Sequence, residues 1–243
     1  MIPTFISYEE QDELGSALVN CRESDAEKKR SYVDIIALAK SFGLAVRYDS
    51  FAEHDTTRDG FLSDGIDPLK VWRSGKRTDK VFPEGTIVID RSLKEPGMEN
   101  RLRYTIAHEV AHHINSVHQS SGCFHSEFDS QRAYSNVELR KVLSINEMQA
   151  NSLAGILLTP SHKLKKVFRE VTGGKMLIQY GDRTIDADTR AEIAKMASMM
   201  KVSFSVMRIR LERLGLFERL PIDRYVEDER FNLDGKLEVI LPE

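Results

Sequence analysis

The segment from Tyr104 to Ile114 constrains the chain more than any other, because it carries the pattern His108-Glu109-x-x-His112. Apolar residues recur there at helical intervals without Gly or Pro, so the segment is predicted to form a buried α-helix. Residues four apart lie on one face of a helix, so His108 and His112 can present imidazole nitrogens to the same metal ion. Glu109 can accept a proton from a water that the metal activates.

An ordinary helix could carry this pattern by chance, but histidines are scarce inside apolar helices, and the metal interpretation is favoured. A zinc site needs a third protein ligand, and the residues leave two candidates open. His118 follows His112 by six residues, the metzincin spacing, with Asn115 where that pattern has Gly. Glu147 opens a second strongly helical segment, which is the gluzincin arrangement, and Asn151 one turn later could hydrogen-bond a ligand histidine.

Composition narrows the class of protein. Hydrophobic residues make up 41% and charged residues 30% of 243 residues, as in globular proteins, and a net charge of −3 argues against a general polyanion binder. Cys21 and Cys123 are far apart and belong to no CxxC motif, which predicts no disulfide framework and suits a reducing cytosol. The first ten residues resemble neither a signal peptide nor a membrane anchor, so we expect a cytoplasmic protein without a membrane partner.

The coarse order of elements predicts an α+β fold with a small sheet beside the metal helix. Residues 86–90 form the most convincing strand, since they are β-branched and follow a turn. The other predicted elements are strands at 44–48, 68–73 and 237–241, helices at about 28–42, 99–115 and 146–158, two helices within 189–217 split at 201–203, a loop at 49–66, irregular sequence between turns at 74–76 and 83–85, and a loop or short hairpin at 115–145.

The two helical motifs together resemble the core of the ImmA/IrrE metallopeptidase family. That family shows a basic-aromatic run before Ala-His-Glu-x-x-His, as residues 101–112 do here. Its downstream helix has the form Glu-x-x-Ala-Asn-x-x-Ala-x-x-Leu-Leu-x-Pro, which residues 147–160 match at every position. The resemblance covers about residues 30–216. It implies a zincin-like fold, a Zn²⁺ ion held by His108, His112 and Glu147, and Glu109 as the catalytic acid/base.

The resemblance also implies a domain organisation and a substrate. The expected parts are a polar, loosely ordered N-terminal extension at 1–28, a zincin-like metallopeptidase domain at 29–165, a helical, helix-turn-helix-like module at 166–217 and a tail at 218–243. The implied activity is zinc-dependent cleavage of a helix-turn-helix transcriptional repressor, which derepresses mobile-element, prophage or stress genes. Manganese and iron remain open from ligand types alone. The sequence leaves open which of Tyr134, His125 and Tyr180 would donate a hydrogen bond to the oxyanion of the reaction intermediate.

Residues 191–215 resemble a helix-turn-helix, with Val202-Ser203 at the turn and cations (Lys201, Arg208, Arg210 and Arg213) on the second helix. DNA binding is the functional hypothesis, but a packing or repressor-docking element is favoured because the whole chain is acidic. The competing function is a non-catalytic DNA- or protein-binding regulator on a zincin scaffold. The intact Glu109 argues against it, since a structural zinc site does not need an acid/base there.

Overall fold

The computed structural model describes residues 6–52, 59–118 and 136–227, which form a mixed α+β fold with small sheets. Its helices are α1 Tyr8–Arg22, α2 Asp25–Lys28, α3 Ile35–Ser41, α4 Glu99–His118, α5 Asn136–Leu158, α6 Ser161–Thr172, α7 Ala187–Met200 and α8 Phe204–Arg213. Its strands are β1 Ala45–Asp49, β2 Gly60–Ser63, β3 Leu69–Arg73, β4 Lys76–Lys80, β5 Thr86–Asp90, β6 Leu177–Tyr180 and β7 Phe217–Leu220, with a 3-10 turn at Arg91–Lys94.

The main sheet has the strand order β1-β5-β2. Strand β1 runs parallel to β5, with Ala45 opposite Thr86, and β2 runs antiparallel to it, with Gly60 opposite Ile89. Ile87, Val88 and Ile89 of β5 are fully buried, because both faces of this central strand are covered. The sheet therefore has a buried middle strand and two different edges, β1 and β2.

A hairpin of β3 and β4 covers one face of this sheet. Ser74 and Gly75 at its tip both have positive φ, the backbone that a tight two-residue hairpin turn requires. Its apolar residues join those of the sheet in a small separate core, made of Phe61, Leu69, Val71, Phe82 and Val88. The hairpin is thus a cover for the sheet face that the helices do not reach.

Helix α4 lies against the other face of the sheet and packs most extensively on α5. Ala107 and Ala111 of α4 and Ala150 and Ala154 of α5 have no exposed surface. Small side chains at these positions allow two helices to approach closely, as in other helix pairs with small residues at the contact. The helix with the two histidines is therefore held between the sheet and α5.

Most of residues 8–28 form helices, α1 and α2, and not the loosely ordered extension that the sequence suggests. Helix α1 begins with a capping box between Ser7 and Glu10 and packs across α5. Its buried stripe is narrow, consisting of Gln11, Gly15 and Val19, so the segment reads as polar although it is docked. The expectation of loose order for residues 1–28 is wrong for the helical residues, and the other predicted domain boundaries stay predictions.

Two buried cations attach this N-terminal region to the C-terminal helices. Arg210 of α8 donates to Asp12 Oδ1 at 2.5 Å and to the backbone oxygen of Thr159 at 3.0 Å. Lys163 of α6 pairs with Glu23 at 3.0 Å and donates to the backbone oxygen of Glu27 at 2.8 Å. A buried charge is tolerated only when it is paired and hydrogen-bonded, so these contacts fix how the first and last helices meet.

Several predicted boundaries need correction. The loop expected at 49–66 contains β2, and the irregular stretch after Gly75 contains β4, whose residues are nearly all exposed and give no apolar pattern. Helix α4 continues to His118, and α5 begins at Asn136, ten residues before the predicted start. The strand at 86–90 and the helix break at 201–203 are confirmed. The strand expected at 237–241 lies outside the described residues.

Two expectations about the protein's environment can be compared with the structure. Within the described ranges, none of the helices combines the length and the apolar character needed to cross a membrane. Cys21 is an exposed free thiol, whereas Cys123 lies outside the described residues.

Two helical glycines form a matched test of the packing between α1 and α5. A Cβ added at Gly15 would lie 2.6 Å from Cγ2 of Ile156, whereas a Cβ at Gly155 would meet only Cδ of Arg210 at an ordinary 3.8 Å. We expect Gly15→Ala to lower the free energy of unfolding by about 1–2 kcal/mol, because overpacking outweighs the gain in helix propensity. Gly155→Ala should leave stability unchanged or raise it by up to about 1 kcal/mol.

Thermal and denaturant unfolding followed by circular dichroism would measure both variants. Equal stability of the two variants would contradict the close contact between Gly15 of α1 and Ile156 of α5.

Candidate metal centre

His108 and His112 stand one helical turn apart on α4 and direct their Nε2 atoms to a common point. The two Nε2 atoms are 3.0 Å apart, and the rings are nearly perpendicular, at 89°. Their side chains are mostly buried, with 19% and 15% exposed. This is the arrangement that the four-residue spacing predicts for a pair of metal ligands.

Glu147 reaches the same point from α5. Its Oε2 lies 3.3 Å from Nε2 of His108, and its Oε1 lies 3.4 Å from Nε2 of His112. The three residues form a group that could hold a metal ion. The close packing of α4 on α5 brings Glu147 to two histidines that precede it by 35 and 39 positions in the sequence. Over half of the Glu147 side chain is exposed, so the cluster is open to solvent on that side.

The donor atoms and their spacing suit a divalent metal ion. Bonds of about 2.0–2.1 Å at tetrahedral angles place neighbouring ligand atoms roughly 3.3 Å apart. The Nε2 atoms of the two histidines are 3.0 Å apart, and each lies within 3.4 Å of a different carboxylate oxygen of Glu147. Two imidazoles and one carboxylate suit zinc, and they are also ligands for manganese and iron. The donor set therefore fits the implied Zn²⁺ without selecting it over those metals.

The charges at the cluster favour a cation. Burial acts to lower the pKa of His108, but the hydrogen bond and charge of Glu147, the charge of Glu109 and the nearby Asn151 outweigh it and raise this pKa. Hydrogen bonds from His108 and His112 hold the pKa of Glu147 far below its usual range, although burial opposes this. A positive charge is thus stabilised between the three side chains, as a metal site requires.

A second contact between the helices surrounds the ligands. The hydroxyl of Tyr104 on α4 lies 3.1 Å from Oδ1 of Asn151 on α5 and donates to it. The hydrogen bond expected between Asn151 and a ligand histidine is also present, since the Asn151 side chain hydrogen-bonds His108 and helps to raise its pKa. Nδ1 of His108 is buried and has no hydrogen-bond partner within the described part of the chain. Asn151 therefore contacts a candidate ligand, His108, and also joins α4 to α5 through Tyr104.

Glu109, the residue expected to act as acid/base, is buried between α4 and β2, with 8% of its surface exposed. The backbone of Gly60 passes so close that an added Cβ would lie 2.7 Å from Oε1 of Glu109 and 2.6 Å from Cγ2 of Thr105. Because Gly60 has no side chain, there is room beside it for the Glu109 carboxylate. Sequence reasoning missed it by assigning the segment to a loop, although a Gly within a short strand can signal such a close approach.

Strand β2 is an edge of its sheet among the described strands. The amide of Asp90 donates to the oxygen of Asp59, so in this antiparallel pair the main-chain groups of Gly60 and Leu62 face away from β5. Backbone donors and acceptors therefore point outward beside the buried Glu109. An extended chain could pair with them.

The other candidate residues have different outcomes. The metzincin pattern requires a turn at Asn115, but helix α4 continues through His118. The side chain of His118 lies outside the described residues. His125 and Tyr134 also lie outside them. Tyr180 belongs to β6, where its ring packs on Tyr225 at 5.2 Å between centroids. Of the two alternatives for the third ligand, the structure thus brings Glu147 to the histidines.

Metal content measured by elemental analysis would test the cluster. We expect close to one zinc per chain, and an affinity reduced by at least about 100-fold in His108→Ala and Glu147→Ala, because each removes a ligand. His162→Ala and Glu170→Ala, which change exposed residues of α6, are matched controls that should keep the metal. Retention by Glu147→Ala with loss in His118→Ala would move the site to the metzincin arrangement.

No family model matches the chain, and no curated protein matches its sequence. The interpretation of the cluster therefore depends on its donor atoms, its charges and the neighbouring Glu109.

Proposed function

We propose that this protein is a zinc-dependent endopeptidase of the ImmA/IrrE type, with a zincin-like metallopeptidase domain. The observation that carries the proposal is the convergence of His108, His112 and Glu147 beside the buried Glu109. The resemblance of residues 101–112 and 147–160 to the two motifs of that family supports it. A structural metal site would have no need of Glu109, which supports catalysis over a purely structural role.

In the proposed reaction the three ligands hold the ion, and Glu109 moves the proton. When bound, zinc supplies Lewis-acid chemistry, polarising a carbonyl and making a water more acidic. Glu109 accepts the proton of the attacking water and returns it to the departing amine. The close backbone of Gly60 limits where the Glu109 carboxylate can move, so the base stays aligned between β2 and the ligand helix.

The edge of β2, which pairs with no described strand other than β5, supports a polypeptide substrate. An extended segment can add to this edge through main-chain hydrogen bonds with Gly60 and Leu62, which would bring a peptide bond alongside Glu109. A helix-turn-helix transcriptional repressor, cleaved to derepress mobile-element or stress genes in the cytoplasm, is the substrate that the family resemblance implies. This part of the proposal depends on that resemblance alone.

We propose that the helix-turn-helix-like segment, α7 and α8, is a packing module. Its four candidate cations all contact the protein itself, which argues against the alternative of a DNA-binding regulator. Arg210 is buried against Asp12, and Arg208 donates to the backbone oxygen of Arg183 at 2.7 Å. Arg213 and Lys201 lie over the rings of Tyr8 and Tyr32, at 5.0 and 3.7 Å from the ring centroids.

Glu109→Gln tests catalysis separately from metal binding. We expect this variant to keep its zinc while cleavage falls by about 100-fold or more, because the proton acceptor is lost. Cleavage would be measured by mass spectrometry on a peptide library and on candidate repressors, with Glu170→Gln as the control for an exposed carboxylate. Wild-type rates in zinc-loaded Glu109→Gln would exclude the proposed role.

Gly60→Ala tests whether β2 positions that carboxylate. The added methyl group would displace Glu109, so we expect a lower kcat with unchanged zinc content, and a loss of roughly 10-fold or more. Gly155→Ala adds the same methyl group in open packing and should retain the wild-type rate. An active Gly60→Ala variant with wild-type kcat would show that the close approach has no catalytic consequence.

A further inference from the structure

A cavity of about 550 Å³ lies at the β1 edge of the main sheet, the edge opposite β2. Strand β1, the β3–β4 hairpin and the 3-10 turn after β5 supply its walls. Five cations line it beside a single carboxylate, that of Asp49: Arg47, Arg73, Lys80, Arg91 and Lys94. This excess of positive charge is notable in a chain whose net charge is −3.

The buried carboxylate of Asp49 holds two of these cations in fixed positions. Its Oδ2 accepts hydrogen bonds from Arg73 at 2.5 Å and from Lys80 at 3.0 Å, and the amide of Ser50 donates to Oδ1. Burial acts to raise the pKa of Asp49, but these hydrogen bonds and cations outweigh it and lower the pKa, so the carboxylate stays ionised. Part of the cavity wall is therefore preorganised, which reduces the entropy lost on binding.

The remaining cations have no acidic partner in the described part of the chain. Arg47, Arg91 and Lys94 form no ion pair there. The ammonium of Lys94 lies 4.1 Å from the centroid of the Tyr48 ring, which orients it without neutralising it. Beside the two cations that Asp49 holds, the cavity thus has three more that pair with no acid among residues 6–52, 59–118 and 136–227.

We propose that this cavity binds the phosphate groups of a small phosphorylated ligand. A concave surface with charges of one sign concentrates counter-ions, and arginine matches phosphate oxygens in a bidentate geometry. The volume is that of a small-molecule site. Long nucleic acids would need an extended basic surface, which an acidic chain with one local cluster does not offer. The proposal does not depend on the metal site.

Isothermal titration of the zinc-loaded full chain with sodium tripolyphosphate, in about 0.1 M salt to screen weak surface binding, tests the cavity. We expect saturable binding with one ligand per chain. The double variant Arg91→Gln/Lys94→Gln should bind at least about 10-fold more weakly, because two charge-assisted contacts are lost. Lys165→Gln/Lys166→Gln removes the same charge from exposed positions of α6 and should change the affinity less than about 2-fold.

The wild-type chain and both double variants keep the three metal ligands. If the probe removes zinc, the effect is therefore the same in all three proteins and can be distinguished from binding in the cavity. ATP and adenosine serve as further probes. Tighter binding of ATP than of tripolyphosphate would identify a nucleotide, and equal binding a free phosphate chain; both support the site. The absence of saturable binding, an equal loss in both double variants, or tighter binding of a single-stranded 20-mer oligonucleotide or an acidic peptide would overturn the proposal.

Discussion

The close packing of α4 on α5 is the constraint on which the candidate metal centre depends. Each helix alone offers an incomplete set of donors, two imidazoles on α4 and one carboxylate on α5. Four fully buried alanines let the helices approach, and the hydroxyl of Tyr104 joins them through Asn151. A substitution that separates the helices by even one ångström would disperse the donors without touching any of them, because metal coordination tolerates only small changes in distance.

The two edges of the main sheet carry different chemistry. Strand β2 is antiparallel and lies over Glu109, whereas β1 is parallel and borders the cation-lined cavity. Both edges pair with β5, whose buried residues connect the helices on one face with the hairpin on the other. The fold thus separates the two proposed sites while attaching both to a single rigid strand.

The features that could be predicted from the sequence are those that depend on residues close together in the chain. The four-residue interval of His108 and His112 follows from helix geometry, and the β-branched run at 86–90 identified the central strand. Sequence reasoning could not find Gly60 beside Glu109 or the partners of Arg210, because those depend on segments distant in the chain meeting in space. Docking of α1 was equally hidden, since its buried stripe is narrow and its anchors are polar. The choice of Glu147 over His118 came from a family resemblance, and spacing alone had left it open.

The ion pair between Asp12 and Arg210 has a consequence for the order of folding. These residues are 198 positions apart, so α1 cannot gain its buried partner until α8 has been synthesised. Such long-range contacts form late, since a large loop must close before they stabilise anything. Until then α1 can dock on α5 only through the direct packing of the two helices, without this ion pair, so the apolar surface of α5 is covered less securely in a growing chain. Completion of the C-terminal helices would therefore be the step that fastens an N-terminal helix already able to dock.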